Sequence, residues 1–236
     1  MGTVRLLIFD LDGTLIDSLP DLTDATNLIR GRYGLPEIGI PDVRKLVGKG
    51  ARNLVERALP GATAAEVDEA LGVFLDYNLA HIADKTRAYP GVPETLKELG
   101  TFGLPMVVLS NKNVALCKEV LVRLGIGEPF TEVFGADSFP YRKPSPEPVL
   151  AVLKEYAIEP VQCVMVGDSI NDIAAGGGAG VVTVGCSYGY GDASELAGAH
   201  YQVPDFPSLL HLPFFTKKAM SNEKRLKLFS KLSKQN

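Results

Sequence analysis

The sequence contains few of the residues from which disulfide frameworks and zinc sites are built. Its three cysteines lie far apart without any CxxC spacing, and its three histidines do not pair at the spacing of metal ligands. This composition argues against a secreted protein held together by disulfides and against a zinc enzyme. Because unpaired cysteines favour a reducing compartment, we expect a cytoplasmic protein.

Long apolar runs are also missing. No stretch reaches the roughly 18 apolar residues that a membrane-spanning helix requires. The apolar residues Val4–Phe9 lead straight into Asp10, without the cationic segment, longer apolar stretch and small-residue cleavage site of a secretion signal. We therefore expect a protein with neither a membrane span nor a secretion signal.

Acidic and basic residues are distributed unevenly along the chain. The net charge is −4, but from Lys217 onward seven basic residues and one acid give +6, which leaves −10 for the rest. A body this acidic predicts no nucleic-acid partner. The tail has two interpretations: a solvated extension, or a basic amphipathic helix that binds an anionic surface through Leu226, Phe229 and Leu232.

Short apolar runs alternate with helical stretches along most of the chain. The predicted strands are Val4–Phe9, Met106–Leu109, Cys163–Val166 and Val181–Val184. The helical stretches between them include Val92–Gly100, Val114–Leu124 and Pro146–Tyr156. This alternation predicts an α/β fold with a Rossmann-like parallel sheet core flanked by helices.

Residues 17–85 interrupt the alternation with consecutive helices and no strong strand. The predicted helices are Leu19–Tyr33, Pro41–Leu46, Gly50–Leu59 and Ala64–Ala83. We expect a separate helical domain at 17–85, an α/β core at 1–16 and 86–213, and a basic C-terminal extension at 214–236. The alternative is that the helices pack onto the sheet within one larger domain.

Polar residues suited to phosphate chemistry occur in four short segments, each placed after a predicted strand. The segments are Asp10–Leu15, Ser110–Lys112, Lys143–Pro144 and Gly167–Asp172. Because ligands bind at the carboxyl ends of the strands in an open parallel sheet, we expect the four segments to converge.

The carboxylates in these segments indicate a metal site. Asp10 and Asp12 face the same side of an extended chain, where they repel unless a cation or a shared proton intervenes. Asp168 follows a strand, and a helix after it would return Asp172 to the same face. Oxygen-rich clusters of this kind suit Mg²⁺. Helix N-capping by Asp168 or Ser169 is a compatible interpretation.

The other two segments carry weaker signals. A hydroxyl group and backbone amides at Ser110–Lys112 can hold phosphate oxygens. Lys143 can neutralise a phosphoryl group and a nucleophilic carboxylate as a point charge. Taken alone, these segments have simpler interpretations as an ordinary loop and a surface lysine.

Together the four segments resemble the haloacid dehalogenase superfamily of phosphatases and phosphomutases, over roughly residues 4–191. The most specific matches are Asp10-x-Asp12-Gly13-Thr14 and Gly167-Asp168-Ser169-x-x-Asp172. Within the superfamily the chain is most similar to the phosphoglycolate phosphatases, on Asp17-Ser18-x-Pro20-Asp21-Leu22, Leu46-Val47-Gly48-x-Gly50, Ser110-Asn111-Lys112 and Tyr188-Gly189-Tyr190-Gly191. One departure is the run Gly176–Gly178, which predicts a shorter or softer helix than the alanine-rich helix of relatives.

This resemblance implies a Mg²⁺-dependent phosphomonoester hydrolase that acts through an aspartyl-phosphate on a small metabolite, most readily 2-phosphoglycolate. It implies that Asp10 is the nucleophile, Asp12 the general acid and base, and Lys143 the cation opposite the metal. Mg²⁺ would be held by Asp10, Asp168 and the main-chain carbonyl of Asp12. The helical insert resembles the mobile cap of the family. The other implied site residues are Thr14, Ser110 and Asn111 around the phosphoryl oxygens, Lys49 and Arg52 toward a substrate carboxylate, and Gly13, Ser169 and Asp172 in support.

Several alternatives stay open at this point. A phosphomutase similar to β-phosphoglucomutase would use the same four motifs but keep the phosphoryl group for transfer. A pyrophosphatase would cleave a phosphoanhydride with the same residues. A phosphate-binding protein on the same scaffold would be expected to have lost a catalytic carboxylate. Either a monomer or a homodimer is compatible with the sequence.

Overall fold

The computed structural model describes residues 4–215. The basic tail from Lys217 onward, with both of its interpretations, lies outside the described residues. The strands are β1 (Leu6–Phe9), β2 (Ile16–Asp17), β3 (Arg87–Ala88), β4 (Met106–Leu109), β5 (Glu132–Phe134), β6 (Cys163–Gly167), β7 (Val182–Cys186) and β8 (Tyr201–Val203). The helices are α1 (Leu19–Arg32), α2 (Ile40–Leu46), α3 (Ala51–Ala58), α4 (Ala64–Ala80), α5 (Val92–Gly100), α6 (Val114–Arg123), α7 (Glu147–Glu155) and α8 (Ile170–Gly178).

A six-stranded parallel sheet in the order β5-β4-β1-β6-β7-β8 forms the centre of the molecule. All four residues of β1 are fully buried. Because successive side chains point to opposite faces, Leu7 and Phe9 pack with α5 and α6, whereas Leu6 and Ile8 pack with α7. The predicted α/β fold with a Rossmann-like parallel sheet flanked by helices is confirmed.

Helices α1–α4 form a block with an apolar core of its own. Leu22 and Ile29 of α1, Leu54 of α3 and Phe74 of α4 belong to one buried cluster, apart from the two clusters that cover the sheet. The chain enters the block through β2 and leaves it through β3, which pair with each other in antiparallel fashion. The block is therefore attached to the sheet by a narrow two-stranded ribbon.

Most predicted elements are present with bounds that differ by a few residues. β4 and α5 coincide with their predictions, and α4 begins with a capping box between Thr63 and Glu66. Strands β2, β3, β5 and β8 were not predicted, because runs of two or three residues are too short to show a periodic pattern. Among residues 4–215, no helix combines the length and apolarity needed to cross a membrane.

Helix α8 contains the run of three glycines for which a short or soft helix is predicted, and it is nine residues long. It runs from Ile170 through all three glycines to Gly178. At Gly176 an added Cβ would lie only 2.6 Å from Cγ2 of Thr183 on β7, whereas at Gly177 it would meet no atom within 4 Å. Close packing of helix on sheet therefore requires Gly176 but not Gly177.

The two glycines provide a matched pair of substitutions. Gly177→Ala should raise the free energy of unfolding by about 0.5 kcal/mol, because alanine favours the helix and the position is open. Gly176→Ala should lower it by about 1 kcal/mol or more, because the new methyl group overlaps Thr183. Urea unfolding of both variants tests this, and equal effects would contradict the packing role of Gly176.

Candidate active site

The carboxyl edge of the sheet brings the four predicted segments together. Asp10 follows β1, Ser110 follows β4 and Asp168 follows β6, and these strands are neighbours whose ends lie within one residue of one another in register. The fourth segment brings Lys143 to the same place, in contact with Asp10. The convergence expected from strand order is therefore present.

Three carboxylates form an acidic cluster at this edge. One oxygen from each of Asp10, Asp168 and Asp172 lies within 4.8 Å of the others. The exposed fractions of the three residues are only 9%, 1% and 0%. The buried Oδ1 of Asp10 is paired with the ammonium group of Lys143 at 2.9 Å. A buried set of carboxylate oxygens at this spacing is a donor set that fits a hard divalent cation.

Burial and neighbouring carboxylates raise the pKa values of two members of the cluster. Burial raises the pKa of Asp10 to about 6, although the charge of Lys143 opposes the shift. Burial and the charges of Asp172 and Asp10 raise the pKa of Asp168 well above its usual range. Carboxylates that are close together and desolvated favour protons, or a cation, over free negative charge.

Lys143 is the cation of this cluster among the described residues. Its Nζ lies 2.9 Å from Oδ1 of Asp10 and donates to Oδ1 of Asp172 at 2.6 Å. Its side chain is only 2% exposed. Burial alone would lower the pKa of Lys143, but Asp10 and Asp172 outweigh burial, so the net shift is upward. The ammonium group is therefore held charged beside Asp10.

The carboxylate of Asp12 lies outside the acidic cluster and has its own partners. Ser18 Oγ donates to Oδ1 of Asp12 at 2.5 Å. Lys112 Nζ lies 3.2 Å and 3.3 Å from the two carboxylate oxygens. The side chain of Asp12 is thus separated from the atoms that would bind a metal, and it lines the same cavity as Asp10.

Two of the predicted site residues hold other site residues in place, and a third leaves room for one. Thr14 Oγ1 donates to Oδ1 of Asp168 at 2.8 Å. Asn111 Nδ2 donates to the carbonyl of Lys143 at 2.8 Å, and Asn111 Oδ1 accepts from the amide of Lys143 at 3.1 Å. Gly13 has a φ of +87°, and a Cβ there would lie 2.2 Å from Asp168 Oδ2. Ser110 is buried and lines the cavity.

Ser169 and Asp172 form a capping box at the start of α8, so the helix-cap interpretation also applies. The amide and hydroxyl of Ser169 donate to Oδ2 of Asp172 at 3.1 Å and 2.8 Å. The other oxygen of Asp172 binds Lys143. Asp172 thereby links the helix N-terminus to the buried ammonium group.

A loop at residues 188–191, here called the tyrosine loop, contacts the acidic cluster directly. The amide of Tyr190 donates to Oδ2 of Asp168 at 2.7 Å. A Cβ at Gly189 would lie 2.3 Å from Cβ of Asp168, and one at Gly191 would lie 2.1 Å from the carbonyl of Asp168. In the sequence this loop shows a family resemblance but no predicted contact, and its two glycines are the signal that other residues approach it closely.

The helical block closes over the site through two sets of contacts. The carbonyl of Gly48 accepts from Asn111 Nδ2 at 2.8 Å and from Asn171 Nδ2 at 3.2 Å. Arg44 of α2 donates to the carbonyls of Tyr190 and Gly189 at 2.7 Å and 3.1 Å. Between block and sheet edge lies a cavity of about 790 Å³.

The cationic residues that face this cavity differ in part from those predicted. Lys49 lines it, as expected. Arg52 is not brought to the site: it forms ion pairs with Asp68 and Glu56 on the exposed surface and is absent from the cavity lining. The cavity is instead lined by further cations that sequence reasoning did not select: Arg44, Lys45, Arg57 and Lys112.

The fold and this buried arrangement of aspartates and lysine define a hydrolase of the haloacid dehalogenase type. The sequence model of the haloacid dehalogenase-like hydrolases matches residues 4–180, and the chain belongs to that family.

Two similar proteins and one similar structure are described as phosphoglycolate phosphatases. A phosphoglycolate phosphatase of Psychrobacter arcticus is 42% identical over 200 residues, which cover 81% of this chain and 87% of that protein. The phosphoglycolate phosphatase of Chromobacterium violaceum is 38% identical over 214 residues, 89% of this chain and 96% of that protein. A crystal structure described as a predicted phosphoglycolate phosphatase from Haemophilus somnus is 32% identical, with a TM-score of 0.85 over 89% of this chain and 98% of that chain.

Metal-free protein should lose stability as the pH rises. The folded-state pKa of Asp10, about 6, exceeds its ordinary value of 3.8, so the folded state binds the proton more tightly. The resulting stability is present below about pH 4 and is lost as the pH rises through 6, at a cost on the order of 3 kcal/mol. Asp168 shifts in the same direction.

Thermal unfolding in EDTA at pH 4 and pH 7.5 measures this loss. Asp10→Asn is the matched control, and it should show a smaller decrease because it lacks the titrating carboxyl. A divalent cation at pH 7.5 should restore stability to the wild type, since it binds the folded state. If the wild type gains stability with rising pH relative to Asp10→Asn, the raised pKa of Asp10 is contradicted.

Proposed function

We propose that this chain is a Mg²⁺-dependent phosphatase that hydrolyses 2-phosphoglycolate to glycolate and phosphate. The observation that carries the proposal is the buried carboxylate of Asp10, which lies 2.9 Å from the Lys143 ammonium within a cluster of acidic oxygens. The names of relatives at 38–42% identity over most of the chain support the choice of substrate.

Asp10 is the proposed nucleophile. One carboxylate oxygen attacks phosphorus, an O–P bond forms, and the ester P–O bond breaks to leave an aspartyl-phosphate. Asp12 gives a proton to the departing glycolate oxygen and then takes one from the water that attacks phosphorus. That second attack releases inorganic phosphate and restores the Asp10 carboxylate.

The remaining residues hold charge and position in this scheme. Asp10, Asp168 and the carbonyl of Asp12 are the residues that would hold Mg²⁺, and Asp172 lies beside Asp10 and Asp168. When bound, Mg²⁺ supplies positive charge to the phosphoryl oxygens and lowers the repulsion between dianion and carboxylate. The ammonium group of Lys143 supplies a second positive charge beside Asp10, and Asn111 fixes the backbone of Lys143. Thr14 and Ser110 are the other residues proposed to surround the phosphoryl oxygens.

The helical block at residues 17–85 is the proposed cap over a core of residues 1–16 and 86–213. Its separate apolar cluster and its narrow attachment through β2–β3 support this division. Contacts of Gly48 and Arg44 with the core hold the cap closed in this arrangement. Closure would exclude bulk water and limit the site to small substrates. A cytoplasmic location is part of the proposal, supported by three free, buried cysteines.

Replacing the nucleophile tests the chemistry. Asp10→Asn should lower kcat for 2-phosphoglycolate about 10³-fold or more, because the amide cannot form the acyl phosphate. Asp76→Asn, at an exposed position of α4, is the matched control and should retain wild-type turnover. Phosphate release with Mg²⁺ is the measurement, and an active Asp10→Asn enzyme would refute the covalent route.

A substrate panel separates this function from its rivals. 2-Phosphoglycolate should be hydrolysed with a higher kcat/KM than pyrophosphate, a hexose 1-phosphate or phosphonoacetaldehyde. Isomerised sugar phosphate instead of free phosphate would indicate a phosphomutase, and preferential cleavage of pyrophosphate would indicate a pyrophosphatase. If the protein turns over no member of the panel, the result would favour a non-catalytic binding protein.

A further inference from the structure

A buried ammonium group lies in the cavity beside the carboxylate of Asp12. Lys112 follows β4 and reaches the cavity with a side chain that is only 7% exposed. Its Nζ contacts both carboxylate oxygens of Asp12, at 3.2 Å and 3.3 Å. These distances lie at the long end of the range for N–H···O bonds.

The other cations that line the cavity are either fully engaged or largely exposed. Lys143 is held by the two carboxylates of Asp10 and Asp172. The guanidinium of Arg44 bonds to carbonyls of the tyrosine loop. Lys49 and Arg57 are exposed. Lys112 differs from all of these, because it is buried and shares its charge with a single carboxylate among the described residues.

An ammonium group has three N–H donors, and one carboxylate at long range does not exhaust them. A buried cation with spare donors is best compensated by a second anion. Since Lys112 lines the cavity, that second anion can come from a ligand. Such a pair would form away from bulk water, where charge-assisted hydrogen bonds contribute more than they do at an exposed surface.

We propose that Lys112 binds the carboxylate of the substrate and so selects phosphate esters that carry a carboxylate next to the ester carbon. This inference rests on the proposed function, in which Asp12 gives its proton to the ester oxygen. In 2-phosphoglycolate a single methylene carbon separates that oxygen from the carboxylate. A cation in contact with Asp12 is therefore within reach of the substrate carboxylate when the ester oxygen lies against Asp12.

The carboxylate-binding residue thus lies in the core rather than in the helical block. The sequence placed that role on Lys49 and Arg52. Arg52 is held on the outer surface by Asp68, and Lys49 is exposed. An ion pair between the substrate carboxylate and an exposed lysine is screened by solvent and gives little selectivity. A buried ion pair discriminates strongly against a neutral analogue.

Two substrates that differ only in the group of interest provide the test. 2-Hydroxyethyl phosphate replaces the carboxylate of 2-phosphoglycolate with a neutral hydroxymethyl group. The ratio of kcat/KM for the two esters should favour 2-phosphoglycolate in the wild type. Lys112→Met should reduce kcat/KM for 2-phosphoglycolate about 100-fold and that for the neutral ester much less, so that the ratio collapses.

Matched variants show where the selectivity resides. Lys118→Met removes an exposed lysine from α6 and should leave the ratio unchanged. Lys49→Met should change the ratio by only a few-fold. Equal losses for both esters in Lys112→Met would overturn the proposal, since they would mean that Lys112 acts only through Asp12 or through folding. A collapse in Lys49→Met but not in Lys112→Met would overturn it as well.

The design separates this inference from the function on which it rests. A wild type that does not prefer 2-phosphoglycolate over the neutral ester refutes the proposed substrate. A wild type with that preference, kept intact in Lys112→Met, refutes only the role of Lys112. If circular dichroism shows that Lys112→Met is unfolded, Lys112→Gln takes its place. Glutamine keeps a polar side chain but removes the positive charge, so the ratio should still fall at least 10-fold, and an unchanged ratio contradicts the proposal.

Discussion

Three buried carboxylates and one buried ammonium group share the carboxyl edge of the sheet, and their charge balance constrains the residues around them. Asp10, Asp168 and Asp172 lie within a few ångströms of one another, while Lys143 contacts two of them. Desolvated negative charges at this spacing repel strongly, and one lysine compensates only part of that repulsion. Burial first, and then this repulsion, raises the pKa values of Asp10 and Asp168, and a divalent cation would relieve both.

The scaffold keeps the charged groups in place by binding each from a second direction. Asp168 receives hydrogen bonds from Thr14 and from the amide of Tyr190. Asp172 caps helix α8 with one oxygen and binds Lys143 with the other. Asn111 fixes the backbone of Lys143. Such positioning restricts rotamers before any ligand binds, which is how a preorganised site lowers the cost of reaction.

The helical block and the acidic cluster are physically linked through the tyrosine loop. Arg44 of the block donates to carbonyls of this loop, and the amide of Tyr190 in the loop donates to Asp168. The hydroxyl of Tyr190 also accepts from the amide of Ser18, and the Ser18 hydroxyl binds Asp12. The closed arrangement of the block therefore supports both the acidic cluster and the separate carboxylate of Asp12.

The sequence alone determined the fold class, most of the long elements and the identity of the acidic and basic segments. Buried strands such as β1 and β4 are continuous apolar runs, and strand order at a parallel sheet edge implies that Asp10, Ser110 and Asp168 meet. Beyond Lys143 and Lys49, only the tertiary structure decided which cations reach the cavity. Arg52 turns outward to Asp68, and Lys112 turns inward to Asp12. The physical reason is that long side chains take their direction from partners distant in sequence, on which local patterns carry no information.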